Sequence, residues 1–316
     1  MAVFEPNSIR LDRRHWRLGM RSALKWMKKP VSEEGATQVA RVFAALNGQQ
    51  ILREVDTLRR HPVGQQLLRD KPDLASAISA DHLVGMPEGS FGALYYQQCC
   101  QDDTLPGYLL GGLIYRDGFF DALDIDEDTR WYIERLSFNH DATHIISDYK
   151  NDLAAEALNI MFNLGHQQSV PRARRFLNPF GLICLFSRTT VGWARWRREL
   201  TMAYDRGAAA AQTFPQCCIP WEELMPKPIT EVREFLGISP LPAGWDTSDW
   251  CLKDPYADMS ADQKDEDAER VALVDGAVRA GFNWREYMRA DAEHREHFVE
   301  QLRQGAGYEQ ARSVLA

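Results

Sequence analysis

No stretch of this 316-residue sequence approaches the roughly 20 uninterrupted apolar residues that a membrane-spanning helix requires, so a soluble or surface-bound chain is expected. It also lacks a long basic stripe: the formal net charge is -8, which argues against general nucleic-acid binding. Cysteine is sparse. Cys99, Cys100, Cys184, Cys217, Cys218 and Cys251 fall as two vicinal pairs and two singles. That spacing fits neither a zinc finger nor a secreted disulfide framework, and it is read as buried, reduced thiols in a cytoplasmic compartment. The alternative, a redox switch at a vicinal pair, would need an activating environment. The N-terminus has no apolar run ending in small residues, so a secretory signal is not expected. Strand-like alternation is rare and no internal repeat is present.

With 45% hydrophobic residues, the chain has material for a substantial core, as one large domain or two modest ones. Val39, Val42, Phe43 and Leu46 follow helical spacing, and Ile51, Val55 and Leu58 continue it. Met86–Gly92 carries two glycines and reads as a tight turn before a helix through Tyr95, with a site-covering lid as the alternative. A further helix is expected to start at the acidic run Asp124–Asp128 and to continue to about Asp148, because carboxylates suit a helix N-terminus. Tyr149–Asp152 should break it, with Asn151 or Asp152 capping the next helix. The expectation is an all-α, mostly helical core domain over 35–243. Before it lies a basic segment, 1–34, in which Arg and Lys alternate with Trp16, Trp26 and aliphatic residues. Such a segment could rest on an anionic bilayer or pack on its own domain. After it comes an acidic helical extension, 244–316, read as appended to the core.

The chemistry concentrates in His140-Asp141-Ala142-Thr143-His144, followed after eleven intervening residues by Glu156. On a helix, His140 and His144 stand one turn apart at i and i+4, with Asp141 beside them. Glu156 lies twelve residues beyond His144, about 18 Å along an unbroken helix at 1.5 Å per residue. The break at Tyr149–Asp152 is therefore required if Glu156 is to fold back. It sits among Leu153, Ala157 and Ile160, and an inward carboxylate is costly unless a cation or donors meet it. A divalent metal held by His140, Asp141, His144 and Glu156 answers that demand. Two imidazoles with one or two carboxylates suit zinc or iron(II), also cobalt or manganese, and argue against calcium. The bland alternative makes both histidines satisfied core residues and puts Asp141 on a helix surface. His294 and His297, at i and i+3 in acidic surroundings, read as a solvated face.

The His-Asp-x-x-His motif with its eleven-residue gap to Glu156 resembles the signature of the coenzyme Q biosynthesis protein 4 family. Other segments agree in order over about residues 35 to 243. They are His61–Leu68 with Pro72, Met86–Gly92, Ala203–Gly207, Trp221–Leu224, Val232-Arg233 and Leu236–Ile238. Two departures stand out: the motif interior Ala142-Thr143 is small, and nothing after Trp245 has a recognised counterpart. The resemblance implies a helical protein of ubiquinone synthesis whose four motif residues, His140, Asp141, His144 and Glu156, bind metal at the catalytic centre. The implied reaction is oxidative decarboxylation, replacing the C1 carboxylate of a polyprenylated 4-hydroxybenzoate by a hydroxyl. It further implies isoprenoid-lipid binding, peripheral association with the inner face of a membrane, contact with other quinone-biosynthesis enzymes, and homodimers.

A prenyl tail needs an apolar channel, for which Leu158, Ile160, Met161, Phe162 and Leu164 are candidates, with Phe176, Leu177, Phe180, Leu182, Ile183, Leu185 and Phe186. Arg172, Arg174 and Arg175 could meet lipid headgroups or form a solvated loop. Two other functions compete. One is a non-catalytic lipid-binding scaffold with a structural metal. The other is a His-Asp phosphohydrolase, which would need a further histidine and aspartate near the metal, for which His82 and Asp205 are poor candidates.

Overall fold

Helix is the dominant conformation in the computed structural model, which describes residues 24–25, 33–101, 111–118, 120–150, 152–168, 189–251 and 261–315. In chain order the principal helices are α1 (Glu33–Arg60), α2 (Pro62–Asp70), α3 (Phe91–Tyr95), α4 (Glu127–Phe138), α5 (His140–Ser147) and α6 (Leu153–His166). They are followed by α7 (Trp193–Thr213), α8 (Ile229–Leu236), α9 (Ala261–Arg279), α10 (Trp284–Arg289) and α11 (Ala292–Arg303). Among the described residues, extended pairing is limited to two isolated bridges, Ser90 with Pro228 and Thr189 with Cys251. The all-α class expected from periodicity is the observed one. No described helix is long and apolar enough to cross a membrane.

The described residues divide into two units. One draws on the stretches Met1–Leu52, Gln98–Phe138 and Met259–Ala316, the other on Arg53–Gln97 and Asn139–Asp258. The expected partition at 34/35 and 243/244 does not coincide with these units. Of the described residues after 244, those up to 251 fall in the second unit and 261–315 in the first. In the first unit, Trp284, Tyr287, Met288, Phe298 and Val299 are buried. Trp284 packs edge-on against Phe138, with ring centroids 5.5 Å apart. The Tyr115 hydroxyl donates to Glu134 Oε2 at 2.5 Å, and Arg285 Nε donates to Glu134 Oε1 at 2.9 Å. Helical periodicity marks which residues want burial but not which distant segment will bury them.

The second unit is built on α6. Apart from Glu156 and Asn163, every residue described by burial from Ala154 to His166 is buried. Leu158, Ile160, Met161, Phe162 and Leu164 thus lie in the helical core, each contributing roughly 1.5–3 kcal/mol of apolar burial. The other channel candidates, Phe176 to Phe186, and Arg172, Arg174 and Arg175 lie outside the described residues, as does the basic segment 1–34 apart from residues 24–25 and 33–34. α6 and α7 approach so closely that only glycine fits at the crossing. A Cβ on Gly165 would stand 2.1 Å from the Tyr204 carbonyl oxygen, and one on Gly207 2.0 Å from that of Phe162.

The Met86–Gly92 turn is pinned rather than free. Gly89 takes φ 71°, and Ser90 caps α3 by accepting from Ala93 N at 3.1 Å. Phe91 N and Gly92 N donate to the carbonyls of Lys227 and Met225 at 2.8 and 2.7 Å. The cysteines among the described residues are free thiols, and Cys99, Cys217 and Cys218 are buried. Hydrogen bonding to Cys218 (Sγ to Sγ 3.8 Å) together with burial pushes the Cys217 thiol up, which disfavours a reactive thiolate.

Candidate metal centre

The helix expected from the acidic run to Asp148 is two helices. α4 ends at Phe138 and α5 begins at His140, with Asn139 (φ -87°, ψ 0°) between them. α5 stops where Asp148 enters the left-handed region at φ 66°, a conformation that aspartate tolerates better than most residues. Asp152 then caps α6, its Oδ1 accepting from Ala154 N and Ala155 N at 3.0 Å each. The chain break required by the spacing is therefore present, and Glu156 sits in the first turn of α6.

Two polar stripes meet. On α5, His140, Thr143, His144 and Ser147 recur at i, i+3, i+4 and i+7; on α6, Glu156, Asn159 and Asn163 recur at i, i+3 and i+7. Thr143 Oγ1 donates to the His140 carbonyl at 2.6 Å and accepts from Asn159 Nδ2 and Asn163 Nδ2 at 3.1 and 2.9 Å. Ser147 Oγ donates to Asn159 Oδ1 at 3.2 Å, and Gln216 Nε2 donates to Asn163 Oδ1 at 2.7 Å. A buried hydrogen-bonded network of this kind fixes the rotation of one helix against the other. Arg206 of α7 and Arg233 of α8 finish the C-terminus of α5. Arg206 donates to the Ser147 carbonyl at 3.1 Å, and Arg233 donates to those of Ile146 and Ile145 at 3.0 and 2.8 Å. Guanidinium charge there suits the negative end of the helix.

Within that frame, His140 Nε2 lies 2.8 Å from Glu156 Oε1 and His144 Nε2 lies 2.9 Å from Glu156 Oε2. The far nitrogens are also engaged. His140 Nδ1 donates to Asp141 Oδ1 at 2.9 Å, and His144 Nδ1 donates to the carbonyls of Tyr149 and Lys150 at 2.9 and 3.1 Å. A carboxylate and two carbonyls can only accept, so both Nδ1 atoms carry hydrogen, and a neutral imidazole then presents a lone pair at Nε2. Two such lone pairs would face two carboxylate oxygens. The arrangement is stable only with positive charge between them, as protons on Nε2 or as a cation. Burial works against charge on His140, but Glu156 and Asp141 outweigh it and hold its pKa well above the usual histidine value. Burial likewise opposes the Glu156 carboxylate, and His140 and His144 outweigh that and hold its pKa well below the ordinary range.

His140, His144 and Glu156 offer ligand atoms all within 4.8 Å of one another, the one such grouping among the described residues. Asp141 is not among the converging groups; it stands behind His140, where an outer carboxylate orients a ligating imidazole. The donor set fits a zinc- or iron-type ion. His144 is almost wholly enclosed, its side chain 1% exposed, whereas those of His140 and Glu156 are 38% and 30% exposed. One edge of the site therefore faces out. His82 and Asp205 are exposed and do not join the group, which removes the phosphohydrolase arrangement among the described residues. His294 and His297 lie on α11, and His294 pairs with Asp291 at 2.7 Å.

Sequence reasoning passed over Asn159, Asn163, Arg206 and Arg233 as contributors. For the two asparagines a signal existed, since Glu156, Asn159 and Asn163 are polar at heptad-like spacing in an otherwise apolar helix. For the two arginines it did not, because their partners are about 60 to 90 residues away.

The family model described as "Coenzyme Q (ubiquinone) biosynthesis protein Coq4" matches residues 11–242, a span that encloses all four motif residues. A curated relative, the mitochondrial ubiquinone biosynthesis protein COQ4 of Pyricularia oryzae, is 24% identical over 195 residues. The alignment covers 59% of this chain and 57% of that relative, so this chain spans little more than half of the relative's length. A crystal structure from Nostoc punctiforme with a provisional ubiquinone-biosynthesis assignment superposes with a TM-score of 0.50 at 16% identity. It covers 72% of this chain and 100% of its own, and it speaks to the fold alone.

Proposed function

Because this chain belongs to the coenzyme Q (ubiquinone) biosynthesis protein Coq4 family, we propose that His140, His144 and Glu156 hold a divalent metal at the centre of a C1-modifying enzyme of ubiquinone synthesis. The substrate is a polyprenylated 4-hydroxybenzoate, whose C1 carboxylate is replaced by a hydroxyl with release of carbon dioxide. The observation that carries the reading is the tautomer lock: both Nδ1 atoms are committed to acceptors, and both Nε2 atoms turn onto one carboxylate.

The chemistry agrees with that placement. C1 lies para to a phenol and is electron-rich, so oxygen can be delivered there, and loss of carbon dioxide restores the aromatic ring. The exchange is a two-electron oxidation and needs dioxygen or another two-electron acceptor. When bound, the metal, zinc or iron(II) with cobalt or manganese as substitutes, supplies a positive centre for the substrate carboxylate. Asp141 and the carbonyls of Tyr149 and Lys150 keep the imidazoles aimed. Glu156, held ionised by the imidazoles, serves as a ligand and not as a proton carrier. The exposed edge at His140 and Glu156 is where a substrate ring can approach. An open edge supports catalysis over a purely structural metal, which is usually enclosed by four ligands. The tail calls for a lipid-facing channel and a membrane surface, with other quinone-pathway enzymes and a second copy of this chain as partners.

The test is incubation of purified, metal-loaded protein with a prenylated 4-hydroxybenzoate, with and without dioxygen, reading carbon dioxide and the hydroxylated ring. Oxygen-dependent release that is lost in His140→Ala is expected. Release without any electron acceptor overturns the oxidative route, and undiminished release in His140→Ala overturns the site. Metal and tail bound without turnover, whichever ion is supplied, replaces the enzyme with a lipid-binding scaffold.

A further inference from the structure

The link between α5 and α6 holds three of the centre's supports. The carbonyls of Tyr149 and Lys150 take the Nδ1 hydrogen of His144, and the Asp152 carboxylate caps the helix that begins just before Glu156. Three consecutive residues far along the chain meet these positions in order. Trp245 packs edge-on against the Tyr149 ring, centroids 5.3 Å apart. Asp246 Oδ1 accepts from Lys150 Nζ at 2.9 Å. Thr247 Oγ1 donates to Asp152 Oδ2 at 2.6 Å, on the oxygen not used for capping.

The segment is itself anchored. Trp245 Nε1 donates to Glu199 Oε2 on α7 at 3.3 Å. Trp250 packs on Trp196 of α7 at 5.6 Å and on Trp245 at 5.9 Å, and its carbonyl accepts from Thr190 N at 2.9 Å. Asp246 folds the segment on itself, accepting from Thr247 N at 2.9 Å and Ser248 Oγ at 2.6 Å. Thr247 and Trp250 are buried. Trp245–Trp250 itself lies past residue 242, where the family match ends.

We propose that Trp245–Thr247 is a positioning clamp of the metal centre, setting the approach of the helix bearing Glu156 to the helix bearing the histidines. The proposal rests on the metal reading of His140, His144 and Glu156. Of the three contacts, the Lys150–Asp246 pair is exposed and holds weakly. The Thr247–Asp152 bond is part-buried and made to a carboxylate, so it is the strong one.

The experiment titrates cobalt(II) into the full chain and its variants by visible absorption, and follows amide hydrogen exchange at Ala154 and Ala155 in metal-free protein. Thr247→Val keeps the shape and removes the hydroxyl. It is expected to weaken cobalt binding severalfold, less than the roughly 10–100-fold of a partner bonded directly to a ligand because Thr247 acts through Asp152, and to lower protection at both amides. Thr247→Ser keeps the hydroxyl and restores both. If Thr247→Val does not fold, Trp245→Leu, which takes the ring off Tyr149, is expected to lower affinity in the same direction. Wild-type affinity in a folded clamp variant, whatever the exchange shows, overturns the proposal. Should the unaltered chain bind no cobalt, the metal reading fails separately and exchange alone judges the clamp: lost protection in Thr247→Val supports it, and unchanged protection overturns it.

Discussion

Metal capture by His140, His144 and Glu156 should release protons, and Glu156→Gln is the substitution that exposes the coupling. In the metal-free protein, His140 donates from Nδ1 to Asp141 while Nε2 faces Glu156. Burial disfavours the imidazolium, but the two carboxylates outweigh it and raise its pKa well above 6.5, so near neutrality Nε2 is protonated. An ion must displace that proton. Affinity therefore falls as pH falls, by tenfold per pH unit for one proton per ion, or about 1.4 kcal/mol, throughout the range below the His140 pKa. Replacing Glu156 by Gln removes the charge that does most to raise His140. The proton returns to solution at lower pH, so near neutrality the slope flattens. Affinity should also drop by more than the 10–100-fold typical of a lost outer partner, because a ligand has gone. Calorimetric titration with zinc between pH 6 and 8, in two buffers of different ionisation enthalpy, gives affinity and proton count together. A wild-type affinity indifferent to pH, or a Glu156→Gln protein that binds and releases protons as the parent does, would refute the reasoning.

Asp141→Asn should lower metal affinity 10–100-fold while leaving the helical signal intact, because Asp141 stands behind His140; an affinity unchanged by equilibrium dialysis counts against that role. Thr143→Val removes the acceptor for Asn159 Nδ2 and Asn163 Nδ2, at about 1–3 kcal/mol for each orphaned buried group, and a thermal midpoint equal to the parent's would contradict the polar seam. His166 is held at about 4 by burial, against the Phe214 carbonyl that accepts from its Nε2 at 3.0 Å. The unfolded chain binds the proton from about 6.5 downward and the native one only near 4, so the stability this residue contributes at neutral pH is lost as pH falls through that window. The loss is about 2 kcal/mol between pH 7 and pH 5. Urea unfolding of the parent and His166→Gln should diverge by that amount across the two pH values, and parallel curves would sink the claim.

The candidate metal motif was legible because its information is local. His140 and His144 share a helix face at i and i+4, and a capping aspartate between them and Glu156 marks where the chain turns back. The break at Asn139 was not legible, since neither proline nor glycine marks it and apolar spacing continues on both sides. The placement of Asp141 was not legible: adjacency in sequence puts it near His140 but does not say that its carboxylate meets Nδ1 and not the point where His140, His144 and Glu156 converge. Asn159 and Asn163 carried a readable signal, polar positions at helical spacing within a buried helix, whose meaning required knowing that Thr143 lay opposite.

Local chemistry in the chain, helix periodicity with capping residues, determined by itself that this protein is helical and that two imidazoles and a carboxylate flank one turn. The tertiary structure decided what holds them there. Arg206 and Arg233 at the end of α5, the glycine crossing of α6 and α7, and Trp245–Thr247 beneath the turn act across about 40 to 100 residues of chain. Longer separations still, about 150 residues between Arg285 and Glu134, join α10 to α4. Rotamer and capping preferences act over a few residues, whereas the choice of a distant partner depends on which packing buries the most apolar surface while leaving no polar atom unpaired.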